Sequence, residues 1–231
     1  HTLPNDRRPA GLKSLGRVES TMTNTFVDDV RSDNKTALSR LGSSKSLYAE
    51  TGGDIEAETV LRAAAVAEDA ARETFEQWAD DEAAESAAAL FADLADQEAD
   101  HFETVATKLD AAPTAADGDV PAIQETLRGF DSTIERAGGL VGRCLVAKKS
   151  KEQYTGYFVG DADPQTAGVF RELGGDVDDQ IDRAAELIEA VCASDADRDR
   201  AREAAGEAIG AAYEEYTDSL ESMGVNPKPV C

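Results

Sequence analysis

The sequence has few of the residues that build thiol-based, haem or zinc sites. Its 231 residues include three cysteines and two histidines, and aromatic residues make up 6%. Cys144, Cys192 and Cys231 are far apart and form no Cys-x-x-Cys pair, which argues against a cysteine-built zinc site or an iron–sulfur cluster. We also expect no nucleotide and no haem.

Long apolar runs are missing as well. No stretch approaches the roughly 20 consecutive apolar residues that span a membrane. The first residues lack the order of charged, apolar and small residues that is typical of a signal peptide. We therefore expect a soluble, cytoplasmic protein with no membrane partner.

Basic residues are scarce: 23 Lys and Arg stand against 47 Asp and Glu, for a net charge of −24. This charge repels a phosphate backbone and disfavours direct nucleic-acid binding. Two interpretations of the acidity remain. It could serve as a sink for cations, or it could be the hydrated surface of a halophilic protein, in which concentrated salt screens the self-repulsion.

The chain divides into three parts by composition. Residues 1–24 contain a basic stretch interrupted by Pro4, Pro9 and Gly11, and predict a disordered tail. This tail is either a start extension or a basic arm for an acidic partner. Residues 25–222 predict one helical bundle, with 111–118 as its clearest linker, and 223–231 predict a C-terminal tail.

Alanine-rich segments with helical periodicity predict an all-α protein. No segment alternates apolar and polar residues for long enough to indicate a β-strand. Asp54 is the expected N-cap of the second helix, and Asp163 followed by Pro164 is expected to open a later one. The predicted helices are Thr25–Leu41, one turn at Lys45–Thr51, Asp54–Asp80, Ala84–Asp110, a short helix from Pro121, a long one through Cys144 to Val159, Asp163–Cys192 and Asp195–Gly224.

Two central segments, about 55–110 and 132–192, are similar to each other at an offset of 79 residues. The offset matches Phe91–Leu94 with Phe170–Leu173, Phe75 with Tyr154, and Trp78 with Tyr157. Two such helical hairpins joined by a long connection predict a ferritin-like four-helix bundle, with extra N- and C-terminal helices.

Polar residues interrupt the apolar stripes of the first hairpin. Glu68 lies on one helix, while Glu98 and His101 lie one turn apart on the next. Glu68 and Glu98 are both about 22 Å from the hairpin turn, at 1.5 Å per residue, so the three side chains should converge. Buried together, they require a metal ion or one another as partners.

The segments AEDAARETF at 67–75 and QEADH at 97–101 resemble the first half of rubrerythrin and its ferritin-like relatives. The resemblance implies half of a di-iron site, with Glu68, Glu98 and His101 as ligands, and an iron-dependent oxidoreductase by descent. The repeat places Ala147, Val177 and Gln180 where the second ligand set belongs. We therefore expect weak or mononuclear binding of iron or another divalent metal, and vestigial redox activity at most.

The residues leave other interpretations open. Glu68, Glu98 and His101 could form an ion cluster around a protonated imidazole. Lys148 and Lys151 could turn inward against them, and Arg143 belongs to the same basic segment, which is either a salt-bridged face or an anion site. Acidic halophile chains similar to this one are also described as transcription antitermination proteins, so a non-catalytic interaction factor is the alternative function. A protein partner or a homo-oligomer would suit it, and a scaffold protein is a third option.

Overall fold

The computed structural model describes residues 25–111, 113 and 120–228, and this part of the chain contains helices and no strand. The predicted tail at 1–24, most of the linker and residues 229–231 lie outside it. The all-α prediction is confirmed. The helices are α1 (25–33), α2 (Lys35–Leu41), α3 (Ser44–Glu50), α4 (Ala57–Asp81), α5 (Glu85–Ala106), α6 (Ala122–Arg128), α7 (Thr133–Gly160), α8 (Pro164–Val191) and α9 (Asp195–Ser222).

Long helices dominate the bundle. Helix α4 packs against α5 and α7 packs against α8, while α9 lies along the other side of α7. The two hairpins meet where α5 contacts α8 and α4 contacts α7. No helix in the described ranges is long and apolar enough to cross a membrane.

The apolar core has two parts, one toward each end of the long helices. The larger part includes Phe75, Trp78 and Phe91, and the smaller includes Tyr154 and Phe170. Along α4 and α5, buried polar residues separate the two parts. This polar layer contains every candidate site residue predicted from the sequence.

Local signals explain where several helices begin. Asp163 accepts hydrogen bonds from the backbone N–H groups of Gln165 and Thr166, which confirms the predicted start at Asp163 and Pro164. Ser132 and Glu135 form a reciprocal capping box at α7.

Replacing Ser132 with alanine should lower the free energy of unfolding by about 0.5–2 kcal/mol, because the Glu135 backbone N–H then loses its acceptor. Urea denaturation at fixed salt measures the change. Ser86→Ala, at an exposed position in α5, is the control and should change stability by less than about 0.5 kcal/mol. Equal effects of the two substitutions would contradict the role of the cap.

Three predicted helix boundaries are wrong. The helix predicted over Thr25–Leu41 is interrupted at Asn34, whose side chain donates to the Val30 carbonyl. Asp54 is not an N-cap: the chain is extended at Glu56, and Asp54 accepts from the Thr59 hydroxyl instead.

Helix α5 ends at Ala106 rather than Asp110. Beyond it, the backbone changes to tighter turns, with Lys108 N–H bonded to the Val105 carbonyl at 3.0 Å. The Thr107 hydroxyl donates back to the Thr104 carbonyl, and such local bonds compete with helix continuation. The apolar spacing continues through this segment and gave no sign of the change.

Candidate functional site

Glu68, Glu98 and His101 meet in the polar layer between the two parts of the core. Each of these residues is 3% exposed or less. One potential ligand atom from each residue lies within 4.8 Å of the other two. The structure therefore brings together the three residues that the sequence singled out, and their role as metal ligands stays a prediction.

Each of the three residues uses one atom in a contact and leaves another without a hydrogen-bond partner. Glu68 Oε1 contacts the Lys151 ammonium, and Glu98 Oε1 accepts from Arg143 at 2.8 Å. Among the described residues, Glu68 Oε2, Glu98 Oε2 and His101 Nδ1 are buried and unpartnered. Buried polar atoms are rarely left unpaired, so three of them at one centre need a physical explanation.

Asp176 of α8 orients the imidazole. Its Oδ2 lies 3.1 Å from His101 Nε2, while Nδ1 faces Glu98 Oε2 at 3.6 Å, beyond hydrogen-bond distance. A carboxylate on the outer nitrogen fixes the tautomer and leaves the inner nitrogen as a lone-pair donor. This arrangement is typical of histidines that bind metals.

Helix α7 supplies two buried cations in place of metal ligands. Arg143 donates to Glu98 and to Gln180 Oε1 and lies 3.9 Å from Glu68 Oε2, while Lys151 binds Glu68. Of the two lysines that the sequence left open to turn inward, Lys151 contacts the acidic residues. Lys148 instead binds Asp178 and the Gly174 carbonyl at the edge of the bundle.

The sequence did not predict the buried position of Arg143, although a signal was present. Arg143 and Lys151 stand four residues before and after Ala147, the position that the predicted repeat pairs with Glu68. Residues four apart share a helix face. The long side chains of Arg143 and Lys151 can therefore both extend over the small Ala147 side chain toward Glu68.

The charges in the cluster balance one another. Burial raises the pKa of Glu68 despite the opposing charge of Lys151. Burial also disfavours charge on Glu98, but Arg143 outweighs it and holds the Glu98 pKa well below its usual value. For His101, the charges of Glu98 and Glu68 outweigh burial and raise the pKa. A proton and a metal ion would therefore compete for the same centre.

Within the described part of the chain, Gln180 and Cys144 adjoin the cluster and do not act as further metal ligands. Gln180 donates to Glu98 Oε1 at 2.8 Å, so this predicted equivalent of His101 does reach the site, as a hydrogen-bond donor. Burial raises the pKa of Cys144 to about 11, which keeps it a thiol.

Comparison of the chain with models of protein families, with curated proteins and with solved structures finds no significant match. The site must therefore be interpreted from its own geometry.

Proposed function

We propose that Glu68, Glu98 and His101 bind one divalent transition-metal ion. The observation that carries this proposal is that Glu68 Oε2, Glu98 Oε2 and His101 Nδ1 have no hydrogen-bond partner among the described residues, in a buried layer where one ligand atom from each residue lies within 4.8 Å of the others. Two carboxylate oxygens and one imidazole nitrogen suit iron, manganese or zinc. The Asp176 contact to the outer imidazole nitrogen supports the same assignment.

We further propose that the chain is a rubrerythrin-like member of the ferritin-like group. The helix boundaries support the duplication: α4 ends at Asp81 and α7 at Gly160, while α5 begins at Glu85 and α8 at Pro164, and both pairs differ by 79 residues. One pair fits less well, because Trp78 is buried whereas Tyr157 is only half-buried.

The second half of the bundle favours a single ion. Ala147 and Val177 offer no ligand atom, and the positive charges of Arg143 and Lys151 occupy the side on which a second ion would sit. These cations already neutralise Glu68 and Glu98, so a divalent ion should bind more weakly than in a site whose carboxylates lack cationic partners.

A bound transition metal would supply Lewis acidity and, if it is iron, one-electron redox chemistry. The chain's own residues hold and orient it: Arg143 and Lys151 fix one oxygen of each glutamate, and Asp176 fixes the imidazole. We propose vestigial redox activity at most.

The wild-type protein should bind one Mn²⁺ per chain, counted by the loss of the free-ion electron paramagnetic resonance signal during titration. His101→Ala should weaken this binding by at least tenfold, because loss of an outer-sphere partner alone typically costs about 10–100-fold. The titration is run at high salt, so that weak binding to surface carboxylates is screened.

Glu98→Gln and Glu103→Gln form a matched pair on α5. The first removes a proposed ligand and the second an exposed carboxylate, so only Glu98→Gln should reduce the affinity. If both behave alike, or if His101→Ala binds Mn²⁺ as the wild type does, the cluster is an ion-pair network without a metal function.

A further inference from the structure

A cavity of about 400 Å³ opens on the far side of α7 from the α8 helix, between α2, α3, α4, α6, α7 and α9. Its volume is in the range of small-molecule sites. Much of its wall is apolar and is formed by Leu41, Ala49, Val66, Ala67, Val146 and Ala147. Glu98 and His101 do not line this cavity but Glu68 does, so the cavity adjoins the proposed metal centre at Glu68.

Glu50 is a carboxylate in this wall that is held by hydroxyl groups. Its oxygens accept hydrogen bonds from the hydroxyls of Tyr154 at 2.8 Å, Ser46 at 3.3 Å and Ser150 at 3.4 Å. Within the described part of the chain it forms no salt bridge. Glu50 is exposed, and its carboxylate is open to the cavity. Partial desolvation by the surrounding protein raises its pKa. It is thus an oriented acceptor without a counter-charge.

Gln124 provides a second, independent observation. Its side chain lines the cavity and is 3% exposed, and its Oε1 has no hydrogen-bond partner among the described residues. Glu50 therefore favours a ligand with N–H donors, and the Gln124 amide adds a further polar group to the same wall.

The charges of the wall select a cation over an anion. Arg143 and Lys151 also line the cavity, but both are committed to Glu68 and Glu98. Glu215, an additional acid in the wall, has a pKa raised by burial and accepts only from the Ala122 backbone N–H. The unbalanced charge in the cavity is therefore negative.

We propose that this cavity binds an organic ammonium ion with an apolar body, the ammonium group docking on the Glu50 carboxylate and the body lying against the aliphatic wall. A charged hydrogen bond in a partly enclosed site is stronger than one in water. A bare divalent metal fits poorly, since both oxygens of the Glu50 carboxylate already accept hydrogen bonds from hydroxyl donors.

Three ligands of equal length and different charge test the proposal: hexylammonium, hexan-1-ol and hexanoate. Amide chemical shifts are followed by NMR on the full chain in about 1 M KCl, where surface attraction is screened within about 3 Å. Hexylammonium should shift the amides of Ala49 and Ala147 saturably and bind most tightly. Hexanoate binding as well as hexylammonium would overturn the proposal.

Glu50→Gln keeps an acceptor for the Tyr154 hydroxyl and removes the charge. It should weaken hexylammonium binding about tenfold or more and change hexan-1-ol binding less than about twofold. Glu103→Gln, the exposed control, should have no effect. Unchanged hexylammonium affinity in Glu50→Gln would refute the assignment. His101→Ala should bind hexylammonium normally, which separates this proposal from the metal proposal.

Discussion

Replacing Arg143 with methionine should lower the free energy of unfolding of the metal-free protein by about 3–5 kcal/mol. Arg143 is buried and pairs with Glu98 at 2.8 Å, and it also lies near Glu68 and over the Phe75 ring. Methionine fills much of the space but leaves buried negative charge without its cationic partner. Removing one partner of a buried ion pair in this way is strongly destabilising. Guanidinium denaturation with a chelator present measures the loss.

The same variant should regain stability when Mn²⁺ is added. A divalent ion between Glu68 and Glu98 replaces the lost positive charge, so the variant should bind it more tightly than the wild type and gain stability in proportion to the occupancy. Arg202→Met, which breaks an exposed pair with Asp33, is the control and should cost less than about 1 kcal/mol. If Mn²⁺ does not restore the stability of Arg143→Met, the metal ion and the Arg143 guanidinium do not share the Glu68 and Glu98 carboxylates.

A methyl group at Gly138 should destabilise the bundle by about 3 kcal/mol or more. A Cβ there would lie 1.9 Å from the backbone oxygen of Ala201, and one at Gly142 would lie 2.5 Å from that of Ala205. Helices α7 and α9 approach through these small residues, and the clash is with backbone that cannot rotate away. Overpacking of this kind is at the upper end of measured costs.

Gly156 offers a control on the same helix, because a Cβ there meets nothing within 4 Å. Gly156→Ala should stabilise the protein by about 0.5–1 kcal/mol, since alanine favours the helix. Denaturant titrations should therefore rank Gly138→Ala as the most damaging, Gly142→Ala next and Gly156→Ala as neutral or better. If Gly138→Ala is as stable as Gly156→Ala, the close approach of α7 and α9 is wrong.

The meeting of Glu68, Glu98 and His101 could be predicted because it depends on local geometry alone. A short turn fixes the register of two long helices, so residues equally far from the turn lie at the same level. The one-turn spacing of Glu98 and His101 then fixes their common face. The capping signal of Asp163 and Pro164 was local in the same sense.

The partners from other helices could not be derived in this way. Asp176 and Arg143 reach the site from α8 and α7, and their contacts depend on how the two hairpins pack. The spacing of Arg143 and Lys151, four residues on either side of Ala147, was a usable signal. In a chain with so many surface charges it did not distinguish a buried arginine from a solvated one. The cavity beside Glu50 requires six helices at once, and no local pattern encodes it.

Anomalous diffraction from crystals soaked in Mn²⁺ tests the central claim most directly. The account predicts one strong peak per chain at about 2.0–2.2 Å from Glu68 Oε2, Glu98 Oε2 and His101 Nδ1, and no peak there in His101→Ala crystals. Peaks confined to surface carboxylates, with Lys151 and Arg143 alone facing the two glutamates, would contradict it.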